Sequence, residues 1–190
     1  VAATRGHGVA VGVYHTCSPE EVEWVVGNSD SKVVFVGTNP MDGGNASKMC
    51  SHRLEAAMDN LGKVEAVVSM LGMDAIDHDK AMTWEQFVSK ADSTPEGMVM
   101  DRISSIKPSD PATLIYTSGT TGNPKGVVLT HENMYFEIGQ VHKLMSFDQG
   151  DGYVSWLPCA HVFGQLADNH LWIRDGIHMR VVDNPLHAID

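Results

Sequence analysis

The chain reads as an α/β protein with a mostly parallel sheet layered with helices. Two observations predict this class. Across the first hundred residues, short apolar runs alternate with helix-start signatures. The apolar runs are also nearly continuous rather than alternating, as expected of parallel strands covered on both faces. Gly8 to Tyr14 is the first such run. Ser18, Pro19, Glu20 and Glu21 then supply a capping residue, a proline at the first helical position and a glutamate at the box position. Val22, Val25 and Val26 follow on one helical face. Lys32 to Gly37 is a second strand and Val64 to Met70 a third, and both read as buried. Between them Ala46, Met49, Leu54, Ala57, Met58 and Leu61 recur at helical spacing. The order strand, helix, strand, helix, strand implies right-handed crossovers.

Downstream, Thr83 and Gln86 cap a short helix carrying Trp84 and Phe87, and Asp92 to Asp101 turns polar. Pro108, Ser109, Asp110 and Pro111 form a stiff lead-in to the next strand, which places a boundary near residue 107 and divides the chain into 1–107 and 108–190. Thr130 is the expected N-cap of a helix whose face is Met134, Ile138, Val141 and Met145. Tyr153 to Leu157 and His178 to Val182 read as strands. No internal repeat or low-complexity tract interrupts the pattern.

The run YTSGTTGNPKG, residues 116–126, constrains the chemistry most tightly. Apolar segments flank it, Thr113 to Tyr116 before and Val127 to Leu129 after, so a flexible loop joins two strands. Gly119, Gly122 and Gly126 allow positive φ and close approach to a ligand. Backbone N–H groups can then converge on an anion, with hydroxyls from Thr117, Ser118, Thr120 and Thr121 and one charge from Lys125. Triphosphate suits such a loop. It is not a Walker loop, because Lys125 follows Pro124 and precedes Gly126, and it lacks the spacing of the dinucleotide fingerprint. A plain flexible surface loop of Gly, Ser and Thr is the alternative without function.

Composition bounds the partners. The 190 residues carry a formal net charge of −11, which disfavours nucleic acid and anionic membrane surfaces. No apolar stretch approaches the ~18 residues of a membrane span and no signal-peptide pattern opens the chain, so an intracellular, cytoplasmic protein is expected, with peripheral membrane association of a longer parent left open. Cys17, Cys50 and Cys159 show no paired spacing and are expected to be reduced thiols. Cys159 and His161 flank Ala160, which is too few ligands for a metal site. The chain starts at Val1 directly before a strand, and a fragment of a longer protein is expected.

A second candidate is VSWLPCAHVFGQ, residues 154–165, where Pro158 ends a strand and a turn presents His161 at the carboxyl end of that strand. A lone histidine beside Val162 and Phe163 is more often a core residue, and the other nine histidines have no partner identifiable from sequence.

The phosphate-type loop resembles, at every position, the signature of the adenylate-forming superfamily of acyl-CoA synthetases, luciferases and peptide-synthetase adenylation domains. VSWLPCAHVFGQ resembles that superfamily's L-P-x-x-H-x-x-x-Q stretch. Together with GVAVGVYHTCSPEEVEWVVGNSDSKVVFV, these segments look most like long-chain acyl-CoA synthetases of the bubblegum type, from which Gly126 and Trp156 are small departures. The resemblance implies part of the large N-terminal domain of an adenylate-forming enzyme, with the C-terminal domain absent. It implies that Thr117, Ser118, Gly119, Thr120, Thr121, Gly122, Asn123, Pro124 and Lys125 bind ATP. Lys125 and His161 are implied to act in catalysis, with His161 near the acyl-adenylate carbonyl. The implied reaction joins a fatty acid to coenzyme A through an acyl-adenylate, using ATP and Mg²⁺. The family's metal-binding glutamate, ribose-binding aspartate and C-terminal lysine find no counterpart in these residues, so this fragment alone is expected to be nearly inactive. Two other readings stay open: a non-catalytic nucleotide-binding module, and a ligase that adenylates an aryl or amino acid.

Overall fold

The computed structural model describes residues 4, 6–37, 50–70, 75–117, 122–145 and 147–182. The contacts divide the chain into two compact units: Val1–Tyr14 with Val99–Thr117 and Gly126–Asp190, and His15–Met98 with Ser118–Lys125.

In the second unit, helix α1 spans Pro19–Asn28. Its start is the capping box expected from sequence. The Ser18 hydroxyl accepts from the Glu21 N–H at 3.3 Å, and the Glu21 carboxylate accepts from the Ser18 N–H at 2.8 Å. The Ser18 hydroxyl also donates to Glu20, holding that carboxyl below its usual range. Val22, Val25 and Val26 face inward. Strand β2, Val33–Val36, pairs in parallel with β3, Ala66–Ser69, and β3 pairs in parallel with β4, Ala81–Thr83. Helix α2, Cys50–Ala57, packs on α1 and contributes Leu54 and Ala57 to a core that also takes Met58, Leu61 and Val64. Ala46 and Met49, assigned to the same helix from sequence, lie outside the described residues. Each fully buried Val or Leu here contributes about 1.5–3 kcal/mol of transfer free energy.

One expectation needs correction in this unit, and one strand was not expected. The run Lys32 to Gly37 read as a buried strand, but β2 is a sheet edge, with Val33 43% and Phe35 47% exposed. Central β3 is the buried one, with Val67 and Val68 at 0%. Apolar composition alone does not tell an edge from a centre, because burial depends on what covers each face. The short strand β4 also escaped the sequence reading, being only three residues long. Helix α3, Trp84–Ser89, starts with the expected Thr83–Gln86 box. Phe35, Trp84 and Phe87 cluster, with Phe35 edge-on to Phe87 at 5.2 Å.

In the first unit, β1 covers only Ala10–Val11 and pairs in parallel not with its sequence neighbour β2 but with β5, Pro111–Thr117. Strand β6, Lys125–Thr130, completes the order β1-β5-β6. The polar stretch read as a connection contains helix α4, Met98–Ser105, none of whose residues is buried. Asp110 caps the turn before β5. It accepts from the Lys107 N–H at 2.8 Å and contacts His7 at 3.1 Å, and these partners hold its carboxyl below the usual range. Helix α5, His131–Met145, begins at a reciprocal Thr130–Asn133 cap. On its expected inner face Met134 is buried and Ile138 and Val141 are half-buried, whereas Met145 is exposed because the last turn runs past the packing surface. Strand β7, Gly152–Ser155, pairs in parallel with β8, His178–Val181. Between them Gly164–Leu171 winds as a π-helix and continues into α6, Trp172–Asp175, which ends at the left-handed Gly176.

Candidate functional site

Strand β5 delivers the chain to the glycine-rich loop. Ala112, Thr113, Ile115 and Tyr116 are buried and anchor the strand, and Thr117 at its end is exposed. Ser118, Gly119, Thr120 and Thr121 lie outside the described residues. Gly122 takes φ of 84°, the left-handed conformation that glycine adopts without penalty. Asn123 and Lys125 are exposed, and the Pro124 carbonyl accepts a 2.9 Å hydrogen bond from the Trp24 indole. Gly126 differs from the expectation. It lies inside β6 without a left-handed φ, and its role is close approach: a Cβ there would stand 3.0 Å from the Tyr116 ring and 3.3 Å from Leu114.

Strand β7 ends at Ser155, and Pro158 is followed by a tight turn in which the His161 N–H donates to the Pro158 carbonyl at 2.9 Å. His161 is exposed rather than packed between apolar side chains. Its Nδ1 accepts from the Phe163 N–H at 3.2 Å, so the neutral ring carries its proton on Nε2 and presents a donor. Two backbone approaches hold the turn. A Cβ on Gly12, just past β1, would meet the Ala160 Cα at 2.6 Å, and one on Gly164 would meet the Pro158 carbonyl at 2.6 Å.

Gln165 links this turn to the strand that feeds the loop. Its amide donates to the Thr113 hydroxyl at 3.1 Å, and that buried hydroxyl donates to the Ala10 carbonyl at 2.8 Å. A polar core group is thereby satisfied, and β1, β5 and the start of the π-helix are fixed to one another. The role of Thr113 was not visible in sequence, where it read only as a strand residue. Asp168 was missed as well. It is 1% exposed, and accepts from Tyr153 Oη at 2.8 Å and Ser155 Oγ at 2.5 Å. Burial, and then the hydrogen bond that the phenol donates to Asp168, pushes the Tyr153 phenol up to about 12. Nothing in the spacing marks Asp168, since its partners precede it by 15 and 13 positions on another element.

Several histidines have partners that sequence did not reveal: His7 with Asp110, His52 with Glu55, His78 with Asp79, and His142 with the buried Asp175 at 3.0 Å. Burial, with His131 adding, lowers the pKa of His170. Among the described residues no group of three His, Cys, Asp or Glu is placed to hold a metal ion, and no helix is long and apolar enough to cross a membrane.

Comparison with known proteins agrees with this architecture. The chain is 31% identical over 177 residues to long-chain-fatty-acid–CoA ligase ACSBG2 of Gallus gallus, a match covering 91% of this chain and 22% of the relative. It is also 31% identical over 157 residues to the peroxisomal long chain acyl-CoA synthetase 6 of Arabidopsis thaliana, covering 82% of this chain and 21% of that one. The chain thus spans about a fifth of the length of these curated relatives. A red-emitting luciferase from Phrixothrix hirtus shares the fold with a TM-score of 0.70 at 16% identity, over 95% of this chain and 32% of that one. The model of the AMP-binding enzyme family matches residues 1–189, and the chain belongs to that family.

Proposed function

We propose that the chain is the phosphate-loop portion of a long-chain fatty acid–CoA ligase. The observation that carries this reading is the ordered run Thr117 to Lys125 between two strands, within a family match that spans the chain. The similarity to long-chain-fatty-acid–CoA ligases at 31% identity supports the choice of acid.

In the first half-reaction a fatty carboxylate oxygen attacks the α-phosphorus of ATP. The bond from that phosphorus to the bridging oxygen breaks, and pyrophosphate leaves. In the second half, the coenzyme A thiol releases its proton to solvent, the thiolate sulfur attacks the acyl carbonyl, and AMP departs with the bonding electron pair. The loop contributes position and charge. In this reading the backbone N–H groups and hydroxyls of the run Thr117 to Asn123 serve as donors to the β- and γ-phosphates, Pro124 stiffens the loop's exit, and Lys125 supplies a full charge to the leaving pyrophosphate. His161, with its proton on Nε2, donates toward the acyl carbonyl oxygen. Mg²⁺ would neutralise phosphate charge in such a reaction. The described residues offer no cluster for it, and no step here depends on it. A ligase of this kind works inside the cell, where ATP and coenzyme A are held.

The test is ATP–pyrophosphate exchange with the full-length protein and a panel of fatty, aryl and amino acids, followed by product analysis with coenzyme A. Exchange dependent on a long-chain fatty acid, with AMP and pyrophosphate as products, is expected. Release of ADP and phosphate would overturn the adenylation reading, and exchange only with an aryl or amino acid would replace the substrate class.

A further inference from the structure

Helix α1 is fixed at its start by the Ser18–Glu21 box and along one side by the burial of Val22, Val25 and Val26. Trp24 lies off that buried face and is 38% exposed. Its indole N–H reaches across 100 positions of sequence to the carbonyl oxygen of Pro124, at 2.9 Å. That carbonyl belongs to the peptide plane joining Pro124 to Lys125. Proline has already restricted φ on one side of the plane, and the indole bond restrains the plane itself. The direction in which the Lys125 side chain leaves the backbone is thereby tied to a rigid helix rather than to the loop. Tryptophan suits the task, with only two side-chain torsions and a single donor.

We propose that Trp24 is a positioning residue for the phosphate loop, holding the Pro124–Lys125 peptide so that the Lys125 ammonium is presented to the phosphates of the nucleotide. The proposal rests on the nucleotide-binding reading of the loop and adds a residue outside the loop to it. Trp24 touches no substrate in this scheme. Its effect passes through Lys125.

The test uses the full-length protein and Trp24→Phe, which keeps an aromatic ring and removes the donor. Two measurements are made. The first is tryptic cleavage between Lys125 and Gly126 without nucleotide, followed by mass spectrometry. Releasing a neutral hydrogen bond should speed it about three- to tenfold. The second is ATP–pyrophosphate exchange, in which kcat/KM for ATP should fall by a similar factor, because Lys125 meets the triphosphate and then the leaving pyrophosphate. In a Lys125→Ala background, Trp24→Phe should add no further fall in kcat/KM, because the group it positions is gone. Unchanged cleavage overturns the anchoring. Faster cleavage with an unchanged kcat/KM, or a kcat/KM effect that persists in full without Lys125, overturns the positioning of Lys125. Faster cleavage in a protein that neither binds nor uses ATP before substitution overturns the nucleotide reading and leaves the anchor standing.

Discussion

Gly12→Ala is the perturbation whose effect the structure defines most closely. A Cβ at this position would lie 2.6 Å from the Ala160 Cα and 3.1 Å from its Cβ. Favourable carbon–carbon contact needs about 3.5–4.0 Å, so strand β1 and the turn carrying His161 must separate by roughly 1 Å. Backbone is the obstacle, and no rotamer change relieves it. Overpacking of this kind costs about 1–3 kcal/mol. With a urea m-value of about 2–3 kcal/mol/M, the unfolding midpoint of the first unit should fall by about 0.3–1.5 M. The displacement falls on Ala160, directly before His161, so fatty-acid-dependent exchange should drop more than ATP binding does. Ala160→Gly in the same protein should rescue only part of the loss, because it removes the 3.1 Å contact and leaves the one at 2.6 Å. An unfolding midpoint and exchange rate equal to those of the parent would refute the close packing of Gly12 on this turn.

Lys125→Ala in the full-length protein should lower kcat/KM for ATP by one to two decades, the worth of about 1.5–3 kcal/mol for a charge-assisted hydrogen bond to phosphate. The fold should be unaffected because Lys125 is exposed, and arginine should rescue only partly, since its planar fork replaces a point charge. Wild-type kinetics at subsaturating ATP would remove Lys125 from the proposed site. His161→Ala should slow acyl transfer in single-turnover assays with ATP binding retained, and an equal loss in both would assign it a structural role instead. Tyr153 contributes a pH dependence of definite sign. Its folded pKa is raised to about 12 from 10.0, so its contribution to stability is complete below about pH 10 and is lost as pH climbs toward 12, where the unfolded chain ionises first. Asp168→Asn should bring that titration down toward 10 without reaching it, since burial remains, and should destabilise the fold by about 1–3 kcal/mol. Ultraviolet titration of the phenolate, with Tyr153→Phe as the subtraction, checks this, and an unmoved transition would exclude Asp168 as its cause.

What the sequence determined by itself are the features written in neighbouring residues. The capping boxes at Ser18–Glu21 and Thr83–Gln86, and the Thr130–Asn133 cap at a position named from its residue type, need only atoms three positions apart. The helix α1 face needs only a 3.6-residue period, and the phosphate-type loop only an ordered run of glycines, hydroxyls and one lysine. Tertiary structure decided the rest, because those properties arise between residues far apart in the chain. Strand β1 joins β5 across about a hundred positions instead of joining β2, and no local propensity encodes that partner. The run in β2, VVFV, is more apolar than AVVS in β3, yet β2 becomes the edge and β3 the buried centre according to what lies beside each. The Trp24 donor and the Pro124 carbonyl, the Thr113–Gln165 bridge and the Asp168 acceptor are likewise pairings across 100, 52 and at most 15 positions. Hydrogen bonds and close contacts depend on distance in space, and chain separation sets that distance only where the backbone period does.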